Sequence, residues 1–297
     1  MGIAHLLKNV KHPDNVIVVG DDLLKKIQAE LILMMKDVVS VFDEAGIKWF
    51  LSGGSVLGAV RHQGFIPWDD DIDIFMERAD FEKFRSVFEE KLGDKYRLRM
   101  PGDKGYVLTL PQIQKKNTKV KCIQSVDNCD EGLALDIFIL ENTYNDPIRR
   151  GFHGLISTYY LFICSAMRME ACKNTILQFS QNDERVKEAV EKRAKYAKLF
   201  RSHTCEEWHY KAYRYFSHVN KRGKKLVCPS GIKHFFGELY DSTVFDVPSK
   251  VDFAGEKWNA PTPPEAYLIS RYGEDFMTPP KEEDKEQHVF LELDLGE

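Results

Sequence analysis

Residues 65–75 read FIPWDDDIDIF, and the alternation Asp71-Ile72-Asp73-Ile74 is the tightest constraint on how this chain can fold. Period-two patterning predicts a strand with Ile72, Ile74 and Met76 on one face and Asp71 and Asp73 together on the other. Asp69, Asp70, Asp71 and Asp73 put four carboxylates into five positions, between apolar residues on both sides. A solvated acidic turn is the plain alternative, but such turns do not usually alternate with Ile and run on into Phe. Two like charges held close raise each other's pKa or take up a cation. Hard cations such as Mg²⁺, or Mn²⁺ in its place, take carboxylate oxygens together with substrate phosphates.

A third carboxylate would complete a phosphoryl-transfer site, and Asp136 is the candidate. It lies within the apolar run LALDIFIL, where an unpartnered Asp is costly to bury. An adjacent strand would set it opposite Asp71 and Asp73, sharing a face with Ala134 and Phe138. Upstream, Gly53, Gly54 and Ser55 join a predicted strand (KWFL) to a predicted helix over 55–60. Backbone N–H groups at such a turn can meet a phosphate oxygen. A glycine pair alone is a weak signal; its position just before the acidic strand strengthens it.

The flanking pattern is mixed. Leu24, Ile27, Leu31, Met35, Val38 and Phe42 share a helical stripe, with Asp21 or Asp22 expected as the cap and Gly46 as the stop. Another amphipathic helix is predicted over 79–92, stopped by Gly93. Strand signals follow in YRLRM, GYVLTLPQIQ, TKVKCIQ and LALDIFIL. Helices are predicted over 183–200 and 206–221, then a hairpin in VDFAGEKWNAP turning at Ala254–Gly255. A capping box from Thr262 to Glu265 is expected to open a last helix that ends before Gly273. The expected architecture is therefore α/β, of the α+β kind. It places a mixed-sheet core flanked by helices over residues 1–145 and a mostly helical region over 146–297 that completes the site and binds the acceptor.

Composition narrows the partners. A net charge of −4 argues against a nucleic-acid binder working through a global basic field. The six cysteines include no C-x-x-C pair, which suits reduced thiols in a cytosol; a hairpin could bring Cys122 and Cys129 together, but two small, semi-buried residues are the preferred reading. The first residues, MGIAHLLKNV, lack a sustained apolar stretch and a small-residue cleavage site, and Leu6 breaks a myristoylation pattern. The expected location is cytoplasmic. Gly151 to Met167 carries no charged residue, and Phe152, Leu155 or Ile156, Tyr159, Ile163 and Met167 recur at helical spacing. A buried aromatic helix is the preferred reading there, over a helix lying on a membrane surface at the inner face of the plasma membrane. The basic runs QKKNTKVK and KRGKK are read first as a solvated hairpin and as a helix C-terminus, with donor phosphates or an anionic membrane as the sharper options.

The order strand, Gly-Gly-Ser turn, helix, acidic strand resembles the signature of the nucleotidyltransferase fold. The longer stretch GGSVLGAVRHQGFIPWDDDIDIFM resembles the hallmark of the LicD-type phosphocholine transferases, which include the fukutin-related proteins. LALDIFIL resembles the family's second acidic strand, and FAGEKWNAP, YLISRYGEDFMTPP and His288 resemble its C-terminal motifs. The resemblance runs from about Asp22 to His288, with 145–230 its least secured part. The insertion RHQGFIPW between Ser55 and Asp71 is long for a minimal nucleotidyltransferase but typical of this family. The zinc-binding cysteine cluster of the fukutin-related proteins has no counterpart.

This resemblance implies transfer of a phospho-alcohol from a CDP-linked donor, CDP-choline or another CDP-alcohol, to a hydroxyl of a glycan or lipid-linked oligosaccharide. It implies that Asp71 and Asp73 hold Mg²⁺, and that Asp136 shares a metal and acts as general base. It implies that Gly53, Gly54 and Ser55 contact phosphate. Arg61 is read as neutralising the diphosphate, or equally as a surface ion pair. His62 is expected to be a packed histidine, Trp68 a loop anchor, and Asp69 and Asp70 supports of the loop. Arg271 and His288 are polar members of the C-terminal motifs without an assigned role. Trp258, Tyr267 and Tyr272 are read as core aromatics before a choline cage. Two other outcomes stay open: an enzyme attaching NMP with release of pyrophosphate, and a non-catalytic glycan- or nucleotide-binding protein.

Overall fold

The computed structural model describes residues 16–17, 19–122, 131–181, 183–281 and 290–296. In chain order the elements begin with α1 (Asp21–Ala45), β1 (Phe50–Leu51), α2 (Gly53–His62), β2 (Asp73–Glu77) and α3 (Arg78–Leu92). Next come β3 (Tyr96–Arg99), β4 (Gln112–Lys115), β5 (Lys119–Cys122) and β6 (Ala134–Asn142). A helical run follows: α4 (Pro147–Ala171), α5 (Lys173–Phe179), α6 (Glu184–Ala197) and α7 (Cys205–Phe216). The chain then returns through β7 (Lys225–Val227), α8 (His234–Gly237), β8 (Leu239–Asp241), β9 (Ser249–Phe253), β10 (Glu256–Ala260), α9 (Pro264–Tyr272) and β11 (Phe290–Asp294).

The main sheet is mixed and runs β1-β2-β6-β4-β3, with β7 on the far end of β6 and β8 beside β7. Among the described residues only β2 and β6 pair in parallel, and α3 begins the crossover that a parallel pair requires. Their inward rows, Ile74, Met76, Ile137 and Ile139, are buried, as the alternation demands. α1 covers the core with Ile27, Leu31, Met34, Met35, Val38, Val41 and Phe42, one residue wider per turn than the predicted stripe. The same apolar cluster takes in Leu226, Phe245, Phe253, Trp258 and Leu268, so residues on both sides of position 145 share one core.

Several local expectations need correction. Gly20, not Asp21 or Asp22, is the N-cap of α1; the two acids occupy its first turn, where they suit the helix dipole. No capping box opens α9: Pro263 is its N-cap, and Thr262 Oγ1 instead donates to the carbonyl of Val247 at 2.5 Å. The capping box is at Thr204 and Glu207, opening α7. GYVLTLPQIQ supplies a strand only over Gln112–Lys115. α7 ends at Phe216, so KRGKK lies in the loop beyond it, with Lys225 opening β7, rather than at a helix C-terminus. Cys129 and His288 lie outside the described residues.

The largest correction concerns α4. Phe152, Leu155, Ile156 and Tyr159, expected inside, are exposed, while Ile163 is buried. The helix buries a row of small and polar residues instead, including His153, Gly154, Ser157, Cys164 and Ala166. Gly154 lets Phe235 and Phe236 approach: a Cβ there would sit 2.4 Å from Phe236 Cζ. The helical period is as expected; its phase is the opposite one.

Candidate active site

The site forms where β2 and β6 begin, at the first turn of α2. Asp73 and Asp136 are register partners, and Gln112 of β4 is the partner of Asp136 on its other side. Gln112 Nε2 donates to Asp136 Oδ1 at 2.6 Å, and Gln114 Nε2 donates to Gln112 Oε1 at 2.9 Å. The two amides thus fix the orientation of one carboxylate. β2 starts at Asp73, so Asp71 stands in the extended approach to the strand rather than within it.

α2 is tied to that approach. Ser55, expected on a phosphate, is buried, and its Oγ accepts the N–H of Asp73 at 2.9 Å. Gly53 has φ of +49°, and a Cβ on it would lie 3.1 Å from Asp73 Oδ2. A Cβ on Gly54 would lie 3.1 Å from Asp69 Oδ2. The glycine pair therefore lets the positive end of α2 come up against two carboxylates. The N–H of Gly53 donates to Tyr267 Oη at 2.9 Å, which brings α9 into the site.

α9 also delivers Arg271. Its NH1 donates to Glu238 Oε1 at 2.6 Å in an ion pair exposed by only 7% and 1%. Its NH2 and Nε lie 3.7 and 3.9 Å from the position of a Cβ on Gly53. Nε is buried and meets no hydrogen-bond partner among the described residues. The Nε–NH2 edge of the guanidinium, the edge that suits a phosphate bidentately, thus points at the glycine turn. Lys233 Nζ donates to the carbonyl of Arg271 and helps close the end of α9.

The electrostatics centre on Asp73. Burial first, then the charges of Asp71 and Asp136, hold its carboxyl well above the usual range; Arg271 opposes them and Asp69 adds to them. Among the described residues no three His, Cys, Asp or Glu side chains are arranged as a ready metal cage. The oxygen-only set of Asp71, Asp73 and Asp136 does match the chemistry of a hard divalent cation, which would relieve the crowding at Asp73.

The remaining expected residues are dispersed around this centre. Arg61 donates from Nε to His62 Nε2 at 2.9 Å and from NH1 to the carbonyl of Phe276 at 3.1 Å. Burial lowers its pKa and the charge of Asp69 opposes that shift. His62 is exposed rather than packed, with burial of the ring and then Arg61 lowering its pKa. Trp68 is half-buried against the core, as an anchor would be. The carbonyl of Asp69 accepts from Gln28 Nε2 at 2.8 Å. The charge of Asp70 is felt at Cys122 on β5. Trp258 is core, stacked on Phe253 at 4.8 Å. In QKKNTKVK, Lys115 pairs with Glu30 at 2.6 Å and Lys119 with Glu292 at 3.3 Å, but the expected hairpin is absent among the described residues: β4 pairs with β3 and β6, and β5 pairs with β11 in a separate sheet.

Residues 46–146 match the family model described as LicD/FKTN/FKRP, nucleotidyltransferase domain. Over that third of its length the chain is similar to a LicD-type nucleotidyltransferase domain. The matched stretch holds all of Gly53, Gly54, Ser55, Asp71, Asp73 and Asp136, whereas Arg271 and Glu238 lie beyond it. Over 140 residues the chain is 29% identical to the lipopolysaccharide cholinephosphotransferase LicD of Haemophilus influenzae, 46% of this chain and 49% of that protein. An uncharacterised protein of Rickettsia prowazekii is 34% identical over 150 residues, 48% of each chain. Human ribitol 5-phosphate transferase FKRP is 54% identical over 37 residues, 12% of this chain and 8% of its own. The chain thus spans about half the length, or less, of the curated relatives it matches.

Glu238, Gln112 and Gln114 were not anticipated. The two glutamines alternate in PQIQ and share a strand face with Asp136 across the register, a signal present in the sequence. Glu238 carries no such signal, because only the fold brings it to Arg271.

Proposed function

We propose that this protein is a Mg²⁺-dependent transferase that moves phosphocholine, or a similar phospho-alcohol, from a CDP-linked donor to a sugar hydroxyl and releases CMP. The observation that carries this reading is the register pair Asp73–Asp136 beside the Gly53–Gly54 turn, inside a LicD-type domain. Asp71, Asp73 and Asp136 would hold Mg²⁺, which when bound neutralises charge on the donor diphosphate. Arg271 turns its Nε–NH2 edge toward the same turn and is suited to the diphosphate oxygens. Asp136, oriented by Gln112, takes the proton of the attacking hydroxyl. The acceptor oxygen bonds to the phosphorus bearing the alcohol, and the bond from that phosphorus to the bridging oxygen breaks. CMP leaves with the bridging oxygen and its electron pair.

A panel of CDP-alcohols with Mg²⁺ and a glycan acceptor, scored for CMP release, tests the reading. CMP release with CDP-choline or CDP-ribitol supports it. Pyrophosphate release from an NTP, with every CDP-alcohol inert, replaces it with NMP transfer; binding of a CDP-alcohol without turnover replaces it with a non-catalytic role.

A further inference from the structure

α4 leaves one flank bare. Ile148, Phe152, Leu155, Ile156, Tyr159 and Phe162 fall on a single stripe of the helix and are each between 41% and 70% exposed. The stripe continues sideways: Phe236, which closes over Gly154, and Ile232 are exposed as well. Scattered exposed apolar residues need no explanation, but a contiguous face of this extent does.

Cations stand at both ends of the face. Lys224 N donates to Asn145 Oδ1 at 2.7 Å, which sets the loop carrying exposed Lys221 and Lys224 beside the start of α4. At the other end Tyr196 packs on Phe162, ring centroids 5.4 Å apart, between exposed Lys195 and Lys198. Lys233, between Ile232 and Phe236 in the sequence, is not part of this rim, since its Nζ is held by the carbonyl of Arg271. Of the acids at the two ends of α4, Asp146 accepts from Arg149 N at 2.8 Å as its cap, and Glu170 lies 3.9 Å from Arg201. From Gly151 to Met167 the helix carries no charge at all. This local basic rim exists on a chain whose net charge is −4.

We propose that this face docks on an anionic phospholipid bilayer, with α4 lying in the plane of the interface. An apolar stripe with lysines along its edges is the pattern that inserts side chains at the acyl boundary while basic groups meet lipid phosphates. A second copy of the chain fits less well, since a two-fold pairing through this face would set its basic rim against itself. No helix among the described residues is long and apolar enough to cross a membrane, so the contact is one of lying on the surface. The segment that presents Ile232 and Phe236 to the lipid also supplies Lys233 and Glu238 to Arg271, so the docked face adjoins the site.

Co-sedimentation with vesicles tests this without any turnover, so its outcome is independent of the proposed transfer reaction. Vesicles of phosphatidylcholine alone are compared with vesicles that also contain phosphatidylglycerol. The wild-type protein should pellet with the second and release as salt is raised. Phe152→Ser with Leu155→Ser should weaken binding about tenfold or more, with the melting temperature unchanged. Lys221→Glu with Lys224→Glu should abolish the preference for the anionic vesicles. Wild-type protein that stays in solution with anionic vesicles at low salt overturns the proposal. So does wild-type binding by the Phe152/Leu155 variant, or self-association that the variant breaks without any vesicle binding.

Discussion

Glu238 and Arg271 form a buried ion pair, NH1 to Oε1 at 2.6 Å, on the opposite side of the guanidinium from the glycine turn at Gly53. The pair fixes which edge of Arg271 faces the site. Removing either partner strands a charge in the core, so Glu238→Ala should cost about 3–5 kcal/mol in urea unfolding. Arg271→Met alone should cost a similar amount, and the double variant less than the sum. Additive losses in that double-mutant cycle would show that the two groups do not act as a pair.

Asp73 and Asp136 are expected to separate activity from stability. Asp136→Asn should lower CMP release by about 100- to 10,000-fold, the scale of a lost general base. Asp73→Asn should abolish release while leaving the melting temperature equal or higher, because it removes a buried carboxylate from beside Asp71 and Asp136. Turnover at the wild-type rate by Asp73→Asn would remove that residue from the mechanism.

Gly58 tests how the insertion RHQGFIPW is held. A Cβ at this position would fall 2.4 Å from the carbonyl oxygen of Gly64 and 3.0 Å from Ile66 N, so the loop or α2 must move. Gly58→Ala should therefore destabilise by about 1–3 kcal/mol in a denaturant titration. It should also reduce CMP release, because the same loop carries Asp69 into contact with Gly54.

Two buried histidines set an acid limit on the fold. Burial, then the charge of His218, lowers His153 to about 4. Burial is also the main cause that lowers His209 to about 4. Both folded values lie below the ordinary value of about 6.5, so the unfolded chain binds the extra protons. The stabilisation is complete above about pH 6.5 and is lost as pH falls toward 4, on the order of 2–3 kcal/mol for each histidine. Unfolding free energies measured from pH 7 to pH 4 should follow that slope, and His153→Gln should reduce it by about half, leaving the share of His209. A pH-independent stability across this window would contradict it.

Much of the arrangement of this candidate site is legible in the sequence. Alternation in DIDIFM and LALDIFIL fixes which side chains share a face, and burial of Ile74 and Ile137 then leaves Asp73 and Asp136 no other side. The glycine pair was equally legible, and the structure adds the reason: two carboxylates stand where side chains would. Arg271 stands out in the sequence only as a polar member of the C-terminal motif YLISRYGEDFMTPP, and its partner Glu238 not at all, because their meeting depends on how α9 packs. α4 misled for a related reason. Its apolar stripe has helical spacing, yet its small residues fit closer to the neighbouring elements, and packing chose the face that fits.

The parallel register of β2 with β6 makes active-site fidelity a matter of strand alignment. Asp73 and Asp136 meet because five consecutive pairs, from Asp73–Asp136 to Glu77–Leu140, are in step. A slip by one residue would turn Asp136 into the core and present Ile137 or Leu135 to the site. The apolar rows that build the sheet therefore also proofread the carboxylates: a misaligned chain loses its core and its chemistry together.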